Sequence, residues 1–366
     1  MSKGTMMQAL EAISPTVLMG IDGMIDEVWE LLDSRTGAGE YTKMTKLMQL
    51  GNAITERGTG GLAKERILKR RSSGGFVCNT GRATATLGAP TTMLGMFGSH
   101  NPDPVFDEFK GLCEMVSVGE PARIMVLEFG DGKVFMPNLD ELINLKWTDL
   151  VARFGEQRLR ALCNVDIMGM GYWSNMYDFE NILTALVTDY LQNGRTKRVF
   201  HDFANLNKRS PQALAEAIAL LGRLNAKLPQ TLSLNEHEGG ILARQLGIAY
   251  PEAVNAEQNE QAVLQAAVEI QKQTGIDEII IHTLHFAVLA TAAERAASAQ
   301  QDYCHNAIKT TGAGDTFNGG YMIAVMTDLS PLERLQVANA TTRYYVEHAV
   351  PPTREQLIQQ LERTKL

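Results

Sequence analysis

The most informative segment of the sequence is Lys309-Thr310-Thr311-Gly312-Ala313-Gly314-Asp315-Thr316-Phe317-Asn318-Gly319-Gly320. Small residues come first and a helix pattern follows at once, so Gly312, Ala313 and Gly314 are predicted to leave backbone N–H groups bare at a helix N-terminus. Such a turn binds anions through its donors and the helix dipole. A carboxylate beside a phosphate pocket repels the phosphate. The presence of Asp315 there is explained if it takes a proton from an attacking hydroxyl. The alternative is an ordinary helix N-terminus with Thr311 as the cap.

The string from Thr310 to Phe317 closely resembles the C-terminal signature of the ribokinase-like carbohydrate kinases, the phosphofructokinase-B family. The resemblance implies that Gly312, Ala313 and Gly314 form the anion hole and that Asp315 is the catalytic base. It extends over roughly residues 16–350. It also implies a three-layer αβα fold with a mainly parallel central sheet and a small β lid.

A second motif, Asn235-Glu236-His237-Glu238, follows a predicted strand and begins a helix. An amide and a carboxylate three residues apart share one helix face, and oxygen ligands suit hydrated Mg²⁺. The motif resembles the family's Asn-x-x-Glu, so Asn235 and Glu238 are predicted to hold Mg²⁺ through water and to contact a nucleotide phosphate. The alternative is a helix cap, with Asn235 at the N-cap and Glu238 three residues later.

The acceptor candidates lie in the first quarter of the chain. The segment Ser73-Gly74-Gly75-Phe76-Val77-Cys78-Asn79 resembles the family's sugar-binding signature. Paired glycines let a substrate lie against the backbone, and Asn79 can bridge two hydroxyls. At the end of the first strand, Asp26 best matches a sugar-binding aspartate of the family, with Asp22 as a near rival. The alternatives are a simple strand-to-helix turn for the glycines and turn capping for the aspartates.

On the nucleotide side, Thr283, Thr311, Lys309 and Asn339 are the predicted contacts, and His201-Asp202-Phe203-Ala204-Asn205 is a predicted pocket wall. Two segments depart from the family pattern: Thr283-Leu284-His285, where relatives read Thr-x-Gly, and Gly98-Ser99-His100, where they read Gly-x-Asp. Many relatives carry at position 309 an aspartate that helps to bind a monovalent cation. We predict that the Lys309 ammonium replaces that cation and makes activity independent of K⁺. A solvated lysine is the alternative.

Short apolar runs alternate with longer amphipathic runs, which predicts an α/β fold with a mainly parallel sheet covered on both faces. Strands are predicted at 16–21, 123–129, 165–170, 198–203, 231–234, 278–283 and 287–290, and helices near 42–56, 78–87, 178–192, 211–223, 236–246, 257–274, 314–326, 331–347 and 353–362. Residues 24–73 and 122–137 break this rhythm. They are predicted to form a small β lid within a single domain of residues 1–366, with a hairpin turning at Gly130-Asp131-Gly132.

The basic stretch Lys64-Glu65-Arg66-Ile67-Leu68-Lys69-Arg70-Arg71 has two interpretations. It is an exposed strand edge carrying protective charges. Alternatively, Arg70 and Arg71 form a clamp for a substrate that already carries phosphate or carboxylate.

Composition excludes several classes of protein. The 366 residues, 45% hydrophobic, are ample for one large core. A net charge of -8 disfavours nucleic-acid binding, and the lack of an 18-residue apolar run disfavours a membrane span. Without a C-x-x-C pair, the four cysteines (Cys78, Cys113, Cys163 and Cys304) indicate neither a disulfide framework nor a zinc site. Because the N-terminus also lacks a signal peptide's apolar core, a cytoplasmic location is predicted.

These observations together predict a sugar kinase that transfers the terminal phosphoryl group of a nucleotide to a carbohydrate hydroxyl. ATP is the expected donor, ADP is an alternative, and Mg²⁺ is the expected metal. A nucleoside or vitamin-like alcohol kinase of the same fold is one alternative function. A regulatory protein that binds sugar or nucleotide without turnover is another. Because an open small sheet has exposed edges, a homodimer through the lid is a further expectation.

Overall fold

The protein is described from a computed structural model that places residues 3–252, 257–293, 295–301 and 303–363. In these ranges the strands are β1 (Val17–Ile21), β2 (Met24–Arg35), β3 (Tyr41–Lys43), β4 (Arg66–Gly74), β5 (Thr91–Gly95), β6 (Glu114–Ser117), β7 (Ala122–Phe129), β8 (Gly132–Asn138), β9 (Ile167–Gly171), β10 (Arg198–Asp202), β11 (Gln230–Asn235), β12 (Glu278–His282), β13 (Phe286–Thr291) and β14 (Ala296–Gln300). The α-helices are α1 (Lys3–Ala12), α2 (Leu47–Arg57), α3 (Phe76–Thr86), α4 (Asp140–Asn144), α5 (Trp147–Leu162), α6 (Phe179–Ala185), α7 (Pro211–Asn225), α8 (Glu236–Gln245), α9 (Glu260–Thr274), α10 (Ala313–Ala324), α11 (Pro331–His348) and α12 (Arg354–Arg363).

The central sheet has nine strands in the order β14-β13-β12-β11-β10-β9-β1-β5-β6. All neighbouring pairs from β12 to β6 are parallel, whereas β13 and β14 are added antiparallel. No residue of β1 or β9 is exposed, because helices cover both faces of the sheet at its centre. The predicted α/β fold with a mainly parallel sheet is confirmed.

Two helical layers cover this sheet, and each has its own apolar core. Successive strand residues alternate between the two cores, as Leu18 and Met19 do in β1. Helices α1, α3, α10, α11 and α12 contribute to the core on one face, and α5 to α9 contribute to the core on the other. The three layers of a helix–sheet–helix sandwich follow.

A small second sheet projects from the central one. Its strands run in the order β3-β2-β7-β8, and β4 pairs with the other edge of β2. Strands β7 and β8 form the predicted hairpin, with Phe129 opposite Gly132. Helix α2 packs against this sheet through a separate apolar cluster that includes Leu31, Leu127 and Phe129. Dimerisation through this sheet, and its action as a lid, stay predictions.

The structure corrects several predicted elements. The helix expected over residues 42–56 is instead the strand β3 followed by α2, and β2 was not predicted because charged residues interrupt its apolar pattern. Strands β5, β6 and β14 and helices α1, α4 and α5 were also missed. The helix expected over 178–192 is α6 continued by a π-helical turn, Leu186–Leu191.

Within the described ranges, no helix combines the length and apolar character that crossing a membrane requires.

Candidate active site

Polar side chains collect along one edge of the central sheet. Asp22 directly follows β1, and Tyr172 directly follows β9. The last residues of β10, β11 and β12 are Asp202, Asn235 and His282. These five strands are neighbours and run parallel. Their carboxyl ends therefore meet at one edge, which is where ligands bind in open α/β sheets.

Helix α10 brings the Gly-rich turn to this edge. It packs closely between α3 and α11 because two consecutive positions lack side chains. A Cβ atom on Gly319 would lie 2.5 Å from the Cβ of Ala83, and one on Gly320 would lie 2.4 Å from Thr341 Oγ1. The position of the N-terminus of α10 is thus fixed by the packing of three helices.

The turn before α10 leaves two of the three predicted backbone donors free, and the prediction for Ala313 is wrong. Gly312 is the N-cap residue, with φ of 87°, and Thr316 bonds back to its carbonyl through both N–H and Oγ1. The N–H groups of Gly312 and Gly314 have no acceptor among the described residues. That of Ala313 donates to the carbonyl of Thr310 at 3.1 Å, so Ala313 supplies no free donor in this conformation.

Helix α11 supports the turn from behind. Tyr345 Oη donates to the carbonyl of Thr311 at 2.6 Å, and Thr342 Oγ1 donates to the carbonyl of Ala313 at 3.1 Å. Thr311 is therefore held through its backbone, and its side chain is exposed. These bonds orient the free amides without occupying them.

Asp315 lies in the first turn of α10 and is only 8% exposed. Its Oδ2 accepts a hydrogen bond from Asn79 Nδ2 and its Oδ1 accepts one from Tyr172 Oη, both at 2.9 Å. Burial raises the pKa of Asp315 to about 6, and the two hydrogen bonds oppose this rise. The carboxylate is therefore a base that is mostly ionised at neutral pH.

Two further carboxyl groups lie near Asp315. Burial raises the pKa of Asp202 well above its ordinary value, and the negative charges of Glu238 and Asp315 raise it further. Glu238 is also buried, and burial raises its pKa to about 7. Asp202 Oδ2 accepts a hydrogen bond from Asn318 Nδ2 at 2.9 Å. An unscreened acidic cluster of this kind favours a bound cation.

Asn235 and Glu238 form a capping box at the start of α8. Asn235 Oδ1 accepts from the Glu238 N–H at 2.9 Å, and Glu238 Oε2 accepts from the Asn235 N–H at 3.0 Å. The helix cap, which is the alternative interpretation of this motif, is thus present. It leaves Glu238 Oε1 and Asn235 Nδ2 without a hydrogen-bond partner among the described residues. In the described part of the chain, no three His, Cys, Asp or Glu side chains come together as a complete metal centre.

Asp22 and Asp26 have different environments. Asp22 is fully buried, and its two oxygens accept hydrogen bonds from the N–H groups of Phe76 and Val77, both at 2.8 Å. It holds the N-terminus of α3, as a capping aspartate does, and burial raises its pKa to about 7. Asp26 is half-buried, and no described residue bonds to its carboxylate. Of the two, only Asp26 is free to bind a ligand.

The glycine pair also divides into two roles. Gly75 has φ of 89°, and a Cβ there would lie 2.6 Å from Asp22 Oδ2. Gly75 is therefore required by the local fold around Asp22. A Cβ on Gly74 would lie 3.2 Å from Asp26 Oδ2, so Gly74 keeps open the space beside the free carboxylate.

Lys309 lies on the Asp26 side of the turn. Its Nζ is 5.4 Å from the centroid of the Tyr345 ring, and no carbonyl of the described residues accepts a hydrogen bond from it. Burial raises the pKa of Asp26, and the positive charges of Arg70, Lys133 and Lys309 oppose that rise. Independence from K⁺ stays a prediction.

The two arginines of the predicted clamp have different partners, and the clamp stays a prediction. Arg70 lies 3.9 Å from Glu128, and its positive charge opposes the rise that burial causes in the pKa of Asp26. Arg71 is paired with Asp103 at 2.8 Å and Glu27 at 3.4 Å. Because β4 pairs only with β2, its basic residues lie on a sheet edge, as the alternative interpretation predicts.

The remaining candidates for nucleotide binding, Thr283 and Asn339, form hydrogen bonds with other groups of the protein. Thr283 Oγ1 accepts from the N–H groups of His285 and Phe286 and donates to the Phe286 carbonyl, so this hydroxyl closes the turn between β12 and β13. Asn339 is buried in α11, and its Nδ2 donates to the carbonyl of Ala299. Its Oδ1 has no partner among the described residues.

Comparison with known proteins shows the family to which the chain belongs. The family model of prokaryotic ketohexokinases matches residues 7–363. A ketohexokinase of Haloferax volcanii is 28% identical over 346 residues, which cover 93% of this chain and 89% of that protein.

Solved structures share the fold at low sequence identity. An Arabidopsis thaliana ribokinase complexed with ribose and ATP has a TM-score of 0.63 and 16% identity, covering 96% of this chain and 100% of its own. A Methanocaldococcus jannaschii nucleoside kinase of the ribokinase family has a TM-score of 0.60 and 14% identity over the same shares. With a family model matched along nearly its whole length and a ribokinase-like fold, this chain is a carbohydrate kinase that belongs to the prokaryotic ketohexokinase family.

Proposed function

We propose that this kinase transfers the terminal phosphoryl group of ATP to a hydroxyl of a ketohexose, with Asp315 as the general base. The observation that carries the proposal is the position of Asp315: a buried carboxylate in the first turn of α10, one residue after a turn with unpaired amides. The ketohexose is inferred from the family and from the Haloferax relative.

In the proposed reaction, Asp315 accepts the proton of the acceptor hydroxyl as its oxygen bonds to the terminal phosphorus. The bond from that phosphorus to the bridging oxygen breaks, and ADP leaves with the electron pair. The N–H groups of Gly312 and Gly314 donate to the oxygens of the phosphoryl group as it moves. A pKa of about 6 leaves Asp315 ionised at pH 7 yet basic enough to bind a proton.

Glu238, Asn235 and Asp202 fit an Mg²⁺ ion by the chemistry of their donors. All three offer oxygen atoms. Burial raises the pKa of both carboxyl groups, and the negative charge of Glu238 raises that of Asp202 further, an unfavourable setting that a cation would relieve. When bound, Mg²⁺ would neutralise charge on the nucleotide phosphates. The protein's own part is to hold Glu238 in place through the capping box with Asn235.

The acceptor is proposed to lie between Asp26, Gly74 and Asn79. The Asp26 carboxylate has no partner in the described chain and can accept from two sugar hydroxyls at once. Asn79 donates through Nδ2 to Asp315, which leaves its Oδ1 to accept from a sugar hydroxyl next to the one that reacts. The small sheet carries Asp26 on β2 and would keep water from this side.

The glycine pair separates folding from acceptor binding. Gly75→Ala should lower the free energy of unfolding by about 2–4 kcal/mol, since the new Cβ meets Asp22 and the backbone has positive φ. Gly74→Ala should cost less than about 1 kcal/mol of stability yet raise the KM for the sugar about tenfold or more, because the methyl group crowds Asp26. Urea denaturation and steady-state kinetics measure the two effects. Equal loss of stability in both variants would contradict this division.

The proposed activity is tested by ADP formation against a panel of acceptors. With Mg²⁺ and ATP, ketohexoses should stimulate ADP formation more than aldohexoses, nucleosides or vitamin-like alcohols do. The position of the new phosphate is then read by ³¹P–¹H NMR of the product. A preference for nucleosides would overturn the ketohexose assignment, and no stimulation by any acceptor would favour a binding protein without turnover.

A further inference from the structure

We propose that Tyr172 is a positioning residue for the reaction: its hydroxyl fixes the orientation of the Asp315 carboxylate and keeps it ready to accept a proton. The proposal rests on the assignment of Asp315 as the base. No motif in the sequence indicates Tyr172. Its only sequence signal is its place directly after a buried strand, β9, at the centre of the sheet.

The geometry is a two-point grip on one carboxylate. Tyr172 Oη donates to Oδ1 and Asn79 Nδ2 donates to Oδ2, each at 2.9 Å. The donors come from different elements, the loop after β9 and helix α3. One hydrogen bond alone would leave the carboxylate free to rotate about the Cβ–Cγ bond. Two donors on opposite oxygens fix that rotation and so fix the direction of the remaining lone pairs.

Tyr172 is itself held in place. Its ring packs at 59° to the ring of Phe76, with centroids 6.0 Å apart, and the residue is partly exposed. Phe76 begins α3, the helix that also carries Asn79. The two donors are thus tied to the same helix, one as part of it and one by packing against it. A purely structural tyrosine would not need to place its hydroxyl on the base.

The surroundings explain why the base needs donors. The groups that face Asp315 or its turn from the elements packed around it are mostly acidic or neutral: Asp22 after β1, Asn79 on α3, Tyr172 after β9, Asp202 on β10, Glu238 on α8, His282 on β12 and Tyr345 on α11. Three of them are carboxyl groups whose pKa values are raised by the negative charge of Asp315, and burial raises the pKa of Asp315 itself. The hydrogen bonds from Tyr172 and Asn79 favour the ionised form, so losing one makes the base harder to deprotonate.

The test is Tyr172→Phe, which removes one oxygen atom and keeps the ring. We expect kcat to fall about 10- to 100-fold with the sugar KM within about threefold. The acidic limb of the pH profile of kcat/KM should move up by about one pH unit, because the hydrogen bond no longer favours the carboxylate. Tyr321→Phe is the matched control. Tyr321 is on the same helix as Asp315, and its hydroxyl donates to the buried Glu278 at 3.0 Å. Removing this hydroxyl should leave the pH profile unchanged.

A second variant covers the case in which the phenylalanine protein does not fold. Site-specific 3-fluorotyrosine at position 172 keeps the hydroxyl but makes it a stronger donor, so the acidic limb should move to lower pH. An unchanged limb with kcat within twofold of the wild type, in either variant, would overturn the role of Tyr172. Asp315→Asn is measured in parallel: if it remains active, the assignment of the base fails as well. If it is inactive while the Tyr172 variants behave as wild type, only the positioning role fails.

Discussion

Asp315→Asn should reduce kcat by about 10⁴-fold and leave the Kd for the sugar within about threefold. The substitution removes the base but preserves shape and hydrogen bonding. An asparagine can accept from Asn79 through its oxygen and donate through its amide to Tyr172 Oη, whose proton rotates to another acceptor. Stopped-flow or coupled ADP assays measure kcat, and calorimetry of the inactive variant measures sugar binding.

The matched control for this substitution is Asp189→Asn. Asp189 is an exposed residue in the helical segment after α6, away from the strand ends that form the site. Its replacement should leave kcat unchanged. In the wild type, kcat/KM should be full above the pKa of Asp315, about 6, and should fall as the pH drops through that value, because the protonated carboxyl cannot accept the hydroxyl proton. Turnover of Asp315→Asn within tenfold of the wild type would remove Asp315 from the role of base.

Gly312→Ala should lower kcat by about 10²- to 10³-fold, the effect of losing a donor from an anion hole. A Cβ at this position would lie 2.9 Å from Tyr345 Oη, the atom that holds the carbonyl of Thr311. Either the tyrosine or the turn must move, and both changes displace the free amides. The residue also has φ of 87°, which an alanine adopts only with strain.

Gly247→Ala separates that strain from the displacement of the site. Gly247 has φ of 70° and no atom within 4 Å of its ideal Cβ, and it lies beyond the far end of α8. Both variants should therefore lose about 1–2 kcal/mol of stability in urea denaturation. Only Gly312→Ala should lose turnover. Equal kcat in the two proteins would show that the turn does not stabilise the transferred group.

Much of the central fold follows from apolar runs alone. The buried strands of the sheet centre, such as Ile167–Gly171, have few charges because helices cover both their faces. The strand Met24–Arg35 could not be predicted in this way. Its pattern mixes charges with apolar residues because some of its side chains are buried and others are partly exposed and form ion pairs, for example Glu30 with Lys43. Short strands such as Glu114–Ser117 give too few residues for any period to appear.

The candidate site was predictable where chemistry and chain order coincide. The turn Gly312–Gly314 and Asp315 are adjacent in sequence, so one motif contains both the proposed donors and the proposed base. The separation of Asp22 from Asp26 could not be read in advance, because it depends on whether each carboxylate meets the first amides of α3. Tyr172 could not be predicted from the sequence for the same reason. Its partner is 143 positions away along the chain, and only the fold brings them together.

Because α10 packs closely between α3 and α11, turnover should be sensitive to steric bulk in the interior of the molecule. Gly319 and Gly320 are outside the proposed reaction. A single added methyl group would nevertheless clash with Ala83 at Gly319 or with Thr341 at Gly320, and would shift the whole of α10, which carries Asp315. A displacement of about 1 Å at the reacting atoms is enough to slow a positioned reaction by two orders of magnitude. Chemical competence in this enzyme is therefore a property of its interior as much as of its cleft, and searches for faster or slower variants should include positions that face no solvent at all.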